Sequence, residues 1–164
     1  GAAALAYRAK EQELIRLDAV YSASKVPYEI RSGSEKVTRR FFKICDKGAD
    51  SFTGQYKTLI ENGICKGHQC IAYGLYMRDN SVSLSQGLAV YGYSICSAIV
   101  TNCVKLVPLS QLAGQKILNE SFALISKAAE KAIGTEIDDI GISGAGFDLR
   151  AIQHERLYSR QYMS

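Results

Sequence analysis

Cys65, His68 and Cys70 fall within the six-residue stretch CKGHQC. Two thiolates and an imidazole are ligand types that suit zinc or nickel. A closed zinc site needs four ligands, and no second cluster lies near in sequence. His154 is followed by Glu155, but no second histidine stands three residues later, so the HExxH pattern is absent. Small buried thiols and a histidine at a helix start account for the same residues without a metal. A second residue stands out for its isolation. Lys105, in NCVKLVPLSQ, is the only charge between Asn80 and Gly114. The stretch GISGAG lacks the lysine and the preceding strand of a phosphate-binding loop, and no G-x-S-x-G elbow occurs. The acidic residues form no obvious pair. These absences favour a protein that is not an enzyme.

The elements that must position these residues are helical. The chain has 164 residues, 47% hydrophobic and 22% charged, which is the balance of one ordinary globular domain over 1–164. Two prolines and long runs of Ala, Leu, Lys, Glu and Gln predict an all-α, single-domain bundle of about six or more helices. A net charge of +4 makes no case for nucleic acid without a clustered basic stripe. Cysteines 45, 65, 70, 96 and 103 are odd in number, and Cys96 and Cys103 lie two helical turns, about 10 Å, apart. Reduced thiols and a cytoplasmic location are expected. The start GAAALAYRAKEQEL lacks the pattern of a signal peptide. The uncharged run from Asn80 is long enough to span a membrane, but Asn80, Gln86, Asn102 and several Ser and Thr argue for a central helix buried on all sides.

Periodicity predicts helices over Ala3–Ser24, Ser34–Asp46, 51–62, 67–78 and 83–106, then one running to about Ile133 with Pro108 in its first turn. Leu14, Leu17 and Tyr21 form a buried stripe on the first, with Glu11, Glu13, Arg16 and Asp18 mostly off it. Ser34 is the expected N-cap of the second, and Val37, Phe41 and Ile44 its buried face. Small residues at Ala89, Gly92, Cys96 and Ala98 permit close approach of another helix to the central one. Lys105 falls in that helix's last turn, where the macrodipole favours a cation. Residues 133–147, with glycines and acids, read as a loop, and 148–164 as a C-terminal helix with a tail. HERLYSRQYMS carries Tyr158, Tyr162 and Met163 with Arg156 and Arg160, a composition common at protein interfaces.

TNCVKLVPLSQLAGQKIL resembles the V-K-[LS]-V-P-x-[GS]-Q core of the urease accessory protein UreF family. QHERLYSRQYMS resembles that family's closing H-E-x-x-Y-S-R-L-[FY]-x-S, with Gln161 where the family usually has an apolar residue. PYEIRSGSEKVTRRF and the His68…Gly74 spacing add weaker matches. The family's F-P-[IV]-G-x-[YF] motif is not found, which implies an N-terminally incomplete chain. The resemblance implies an all-helical homodimer that is not itself a catalyst. It would bind UreD (UreH in some organisms), recruit the GTPase UreG, and support GTP-dependent nickel insertion into apo-urease. Nickel would be handled by the assembly, with no tightly bound cofactor. By matching position, Lys105 and Arg160 would belong to the surface that recruits UreG. Tyr158, Ser159, Gln161, Tyr162 and Met163 would engage UreD/UreH, and Tyr93 with Ala89 would lie at the dimer interface. No nucleic acid or membrane partner is expected. The alternative is a small helical metal-binding protein using Cys65, His68 and Cys70.

Overall fold

Among the described residues, nine α-helices and one short 3₁₀ turn make up the regular structure, with no strand. The computed structural model describes all residues except 46, 108, 142, 143 and 159–164. The helices are α1 (Ala2–Arg8), α2 (Glu11–Ser24), α3 (Tyr28–Ile44), α4 (Phe52–Glu61), α5 (Gln69–Asp79), α6 (Leu84–Leu106), α7 (Gln111–Glu120), α8 (Phe122–Ile133) and α9 (Ala145–Glu155). The 3₁₀ turn, Ile137–Asp139, lies in the connection expected to be a loop.

Several boundaries differ from the sequence-based expectation for local reasons. The first helix is two: Lys10 starts α2, and its N–H donates to Oε2 of Glu13 at 2.8 Å. The Ala9 carbonyl exposed by the break accepts from Arg78 at 2.9 Å. Helix α3 begins at Tyr28, not Ser34, because Pro27 serves as its N-cap residue. The Ser34 hydroxyl is thereby freed to face an imidazole. Helix α7 begins at Gln111, after Pro108, with Ser110 capping it through a bond from the Ala113 N–H at 3.1 Å. The expected long helix after it divides at Ser121, whose hydroxyl donates to the Ile117 carbonyl at 2.8 Å. Such back-bonding bends a helix.

Helix α5 is the centre. It packs against α1, α3, α4 and α6, and Ile71, Ala72, Leu75 and Met77 are all buried. Helix α1 can lie close on it because its inner face is alanine: Ala3, Ala4 and Ala6 are buried. Gly74 supplies the matching space on α5. A Cβ there would overlap the Ala3 carbonyl oxygen and stand 3.0 Å from the Ala6 Cβ. Helix α1 also holds the far end of the bundle. Arg8 donates to the Ile133 and Thr135 carbonyls at 2.8 and 3.1 Å, satisfying the C-terminal end of α8.

Two predicted core faces are corrected. On α3 the buried residues are Thr38 and Phe42; Val37 is 48% and Ile44 84% exposed, while Phe41 is half-buried against Tyr76. On α2, Asp18 is buried alongside Leu14 and Leu17. The central-helix expectation also fails. Helix α6 buries only Gly87 and Leu88 fully, and Val90, Ile99 and Leu106 are more than half exposed. It is the one helix among the described residues long and apolar enough to cross a membrane by length and composition. Its inner side rests on α8 and α7, where Gly92 admits Ile125 and Gly114 of α7 admits Val100 and Val104.

Gly74→Ala is expected to cost about 2–4 kcal/mol, since neither a backbone carbonyl nor an alanine can withdraw from the new methyl. Urea unfolding followed by circular dichroism checks this. Gly33→Ala is the control, because nothing lies within 4 Å of the Cβ position there.

Candidate functional site

The end of α6 raises Lys105 from the body. It is the only basic residue in the helix's last turn, and its side chain is exposed. No carboxylate among the described residues pairs with it. Around it stand Leu106 (52% exposed), Val107 (55%) and, at the start of α7, Leu112 (81%). An exposed cation is thus followed closely in sequence by apolar side chains that the fold leaves in water. Such a site suits a carboxylate flanked by apolar groups on another protein, since desolvation strengthens a charge-assisted bond there.

The exposed side of α6 continues that surface. Val90, Tyr93, Ser94, Ser97, Ala98, Thr101 and Asn102 line a shallow depression of about 530 Å³. Tyr93 is 40% exposed and stacks on Phe122 of α8, with centroids 5.8 Å apart. Ala89 is half-buried and turned to the core. Four residues apart, the two lie on the same side of α6, with Tyr93 the more exposed. Tyr158 is fully exposed just after α9. Arg160, Ser159, Gln161, Tyr162 and Met163 lie outside the described residues.

The CKGHQC segment turns inward. Cys65, His68 and Cys70 are all buried. The His68 ring nitrogens face two hydroxyls, Ser22 Oγ at 2.8 Å from Nε2 and Ser34 Oγ at 3.2 Å from Nδ1. A neutral imidazole has one donor and one acceptor nitrogen, so this pair of hydroxyls satisfies it completely. Burial pushes the Cys65 thiol up to about 12, and the Asp18 charge adds to that. Burial also raises Cys70. Burial thus favours the neutral form of both thiols. Among the described residues no group of three His, Cys, Asp or Glu side chains gathers to hold a metal ion.

Asp18 anchors this segment, although it was expected mostly off the buried stripe of its helix. Its carboxylate accepts from the Tyr56 hydroxyl at 2.6 Å, the Lys66 N–H at 2.7 Å and the Gly67 N–H at 3.1 Å. The Tyr56 oxygen accepts in turn from the His68 N–H at 3.0 Å. Burial, then the Asp18 charge, drives the Tyr56 phenol far above its ordinary value, so it acts only as a donor to the carboxylate. Asp18 follows Leu14 by four residues and precedes Tyr21 by three. That spacing on the apolar stripe was the available signal.

A larger cleft of about 1230 Å³ lies between α2, α6, α8 and α9. Its lining is mostly apolar, and its charged members Lys25, Lys131, Asp139 and Asp148 come from four separate elements.

A family model described as UreF matches residues 1–122. The chain is 33% identical over 152 residues to the urease accessory protein UreF of Actinobacillus pleuropneumoniae serotype 5b (strain L20), covering 92% of this chain and 67% of that protein. It is 30% identical over 152 residues to that of Arthrobacter sp. (strain FB24), covering 90% and 66%. With that of Streptococcus thermophilus (strain ATCC BAA-491 / LMD-9) the identity is 28% over 148 residues, covering 90% and 62%. The chain thus spans about two thirds of the length of these relatives.

Removing the Asp18 carboxylate while leaving its three donors buried costs most in this network. Asp18→Ala is expected to destabilise the fold by about 3–5 kcal/mol in urea titrations, against about 1 kcal/mol for Tyr56→Phe. The pH dependence has a definite sign. Burial lowers the His68 pKa from 6.5, with Lys25 and Arg31 acting in the same direction against Asp18 and Glu35. The unfolded chain therefore binds the proton more readily. The His68 contribution is complete above the unfolded value and is lost as pH falls below 6.5. The slope approaches about 1.4 kcal/mol per pH unit. Denaturation midpoints at about pH 7.5 and 5.5 should differ in the wild type and converge in His68→Gln.

Proposed function

This chain belongs to the urease accessory protein UreF family, and from that premise we propose that it is a non-catalytic scaffold in nickel insertion into urease. In this reading it binds UreD/UreH, recruits the GTPase UreG through Lys105 and Arg160, and brings both to apo-urease. It acts in the cytoplasm as a homodimer. Nickel passes through the assembly as cargo, and this chain keeps no resident metal.

The observation that supports the reading best is the exposed Lys105 at the end of α6, which no carboxylate among the described residues pairs, followed in sequence by the exposed Leu106, Val107 and Leu112. A macrodipole partner needs only the cation, and that contribution is about 0.3–1 kcal/mol. It does not require exposed apolar residues next to it in sequence. An acidic, partly apolar face on a GTPase accounts for both features, with the charge setting encounter rate and specificity. The outward face of α6, where Val90 and Tyr93 are exposed beside Ser94, Ser97 and Ala98, supports the dimer. It is a shallow surface of small and aromatic side chains on one helix, suited to an isologous contact across a two-fold axis.

Co-expression with UreD/UreH, UreG and the urease subunits, with and without this protein, tests the role directly through urease activity. Lys105→Ala and Arg160→Ala should each keep the fold and the UreD/UreH contact while UreG co-purification falls at least about tenfold. Retained UreG binding by both variants would refute the assignment. Deleting residues 158–164 should abolish UreD/UreH binding. For the dimer, Val90→Lys and Tyr93→Glu should each shift sedimentation to the monomer. An unchanged sedimentation coefficient in both would place the two-fold contact elsewhere.

A further inference from the structure

Helix α3 carries a charge arrangement that the fold does not use. Its inner side is set by Thr38 and Phe42, which are buried, and Phe41, which packs on Tyr76. At 100° per residue the opposite side holds Lys36, Arg39, Arg40 and Lys43, and all four are exposed. They form like-charged neighbours at every i,i+3 and i,i+4 spacing available to them: 36/39, 36/40, 39/43 and 40/43. Each such pair weakens the helix. None of the four is paired with a carboxylate among the described residues. The chain has 20 Lys and Arg against 16 Asp and Glu, a surplus of four. These four side chains equal the whole surplus, so the rest of the chain is formally neutral.

Apolar groups edge the same surface. Ile44, 84% exposed, follows the last cation, and Val37, 48% exposed, flanks the stripe. We propose that the outward face of α3 is a docking surface for an acidic amphipathic helix of a partner protein. The outermost cations are seven positions apart, about 10 Å along the axis, and a helix with carboxylates at i, i+3, i+4 and i+7 matches them one for one. Apolar residues beside those carboxylates would cover Ile44 and Val37. A phosphate backbone satisfies the charges but leaves both apolar side chains in water. A short patch of four cations is also a small footprint for nucleic acid. This surface lies on a different element from Lys105 and stands or falls independently of the role assigned to that residue.

The test uses the full chain and a fluorescent helical peptide with Glu at i, i+3, i+4 and i+7 flanked by leucines, read by fluorescence anisotropy. Competitors are the same peptide with Gln for Glu, a short DNA duplex, and phosphatidylserine-containing vesicles. The Glu peptide should bind at least about tenfold more tightly than the Gln peptide and weaken as salt is raised. Arg40→Glu with Lys43→Glu should lower affinity at least about tenfold. Lys116→Glu with Lys127→Glu makes the same change in net charge on α7 and α8 and should stay within about twofold. Ile44→Ser should weaken binding about three- to fivefold by removing the apolar edge. Circular dichroism monitors folding, and Arg40→Gln with Lys43→Gln replaces the reversal pair if that pair unfolds. Undiminished binding by the α3 variants overturns the proposal, as does an equal loss in the α7/α8 control. Tighter binding of the duplex or the vesicles than of the Glu peptide overturns the assignment to a protein partner.

Discussion

The Asp18 carboxylate is the interaction on which the bundle depends. A carboxylate in a core is tolerated only when it is well supplied with hydrogen-bond donors, and three donors serve this one. Two of the donors are backbone N–H groups of the turn before α5. The third is Tyr56 of α4, which also receives the His68 N–H. One side chain on α2 therefore fixes where α4 stands, how the turn folds, and where α5 starts. Since α5 packs against four other helices, its start position propagates to the rest of the molecule.

A second carboxylate repeats the device at the other end of α5. Asp79 accepts from the Phe52 and Thr53 N–H groups, each at 2.9 Å, and so caps α4. Arg78 lies over the Phe52 ring at 3.6 Å and also reaches the Ala9 carbonyl. Between these anchors the inner helices are held by polar bonds of defined geometry as well as by apolar contact. The outer layer of α6, α7, α8 and α9 is different. Among the described residues α9 buries none fully, and it meets α3 through His154 and Glu29, 2.6 Å apart. The surfaces suited to partners lie on this outer layer and on the outside of α3. They can present apolar groups because the inner layer carries the stability.

How much of this is legible in the sequence varies with the physics behind each feature. Helix content was legible because Ala, Leu, Lys, Glu and Gln dominate and proline is scarce. The α6 span and the position of Lys105 in its last turn were legible because Ser83 and the apolar run bound the helix unambiguously. The break at Lys10 was not, because lysine is no habitual N-cap and the stabilising bonds come from Glu13 and from Arg78 of α5. The α3 face was misread. Val37, Phe41 and Ile44 make a plausible apolar stripe, and only the packing of Thr38 and Phe42 on neighbouring helices shows the true one.

By itself the sequence determined the all-α class, the family through its motifs, and the isolation of Lys105 on an uncharged helix. Those features rest on local propensity and residue identity, which need no knowledge of neighbours. Only the tertiary structure decided that Asp18 is the core anchor, that CKGHQC turns inward with its histidine facing two serines, and that α6 shows much of its apolar surface to solvent. Burial is a property of what lies opposite a residue, and periodicity along one helix cannot say which of its sides another helix will cover.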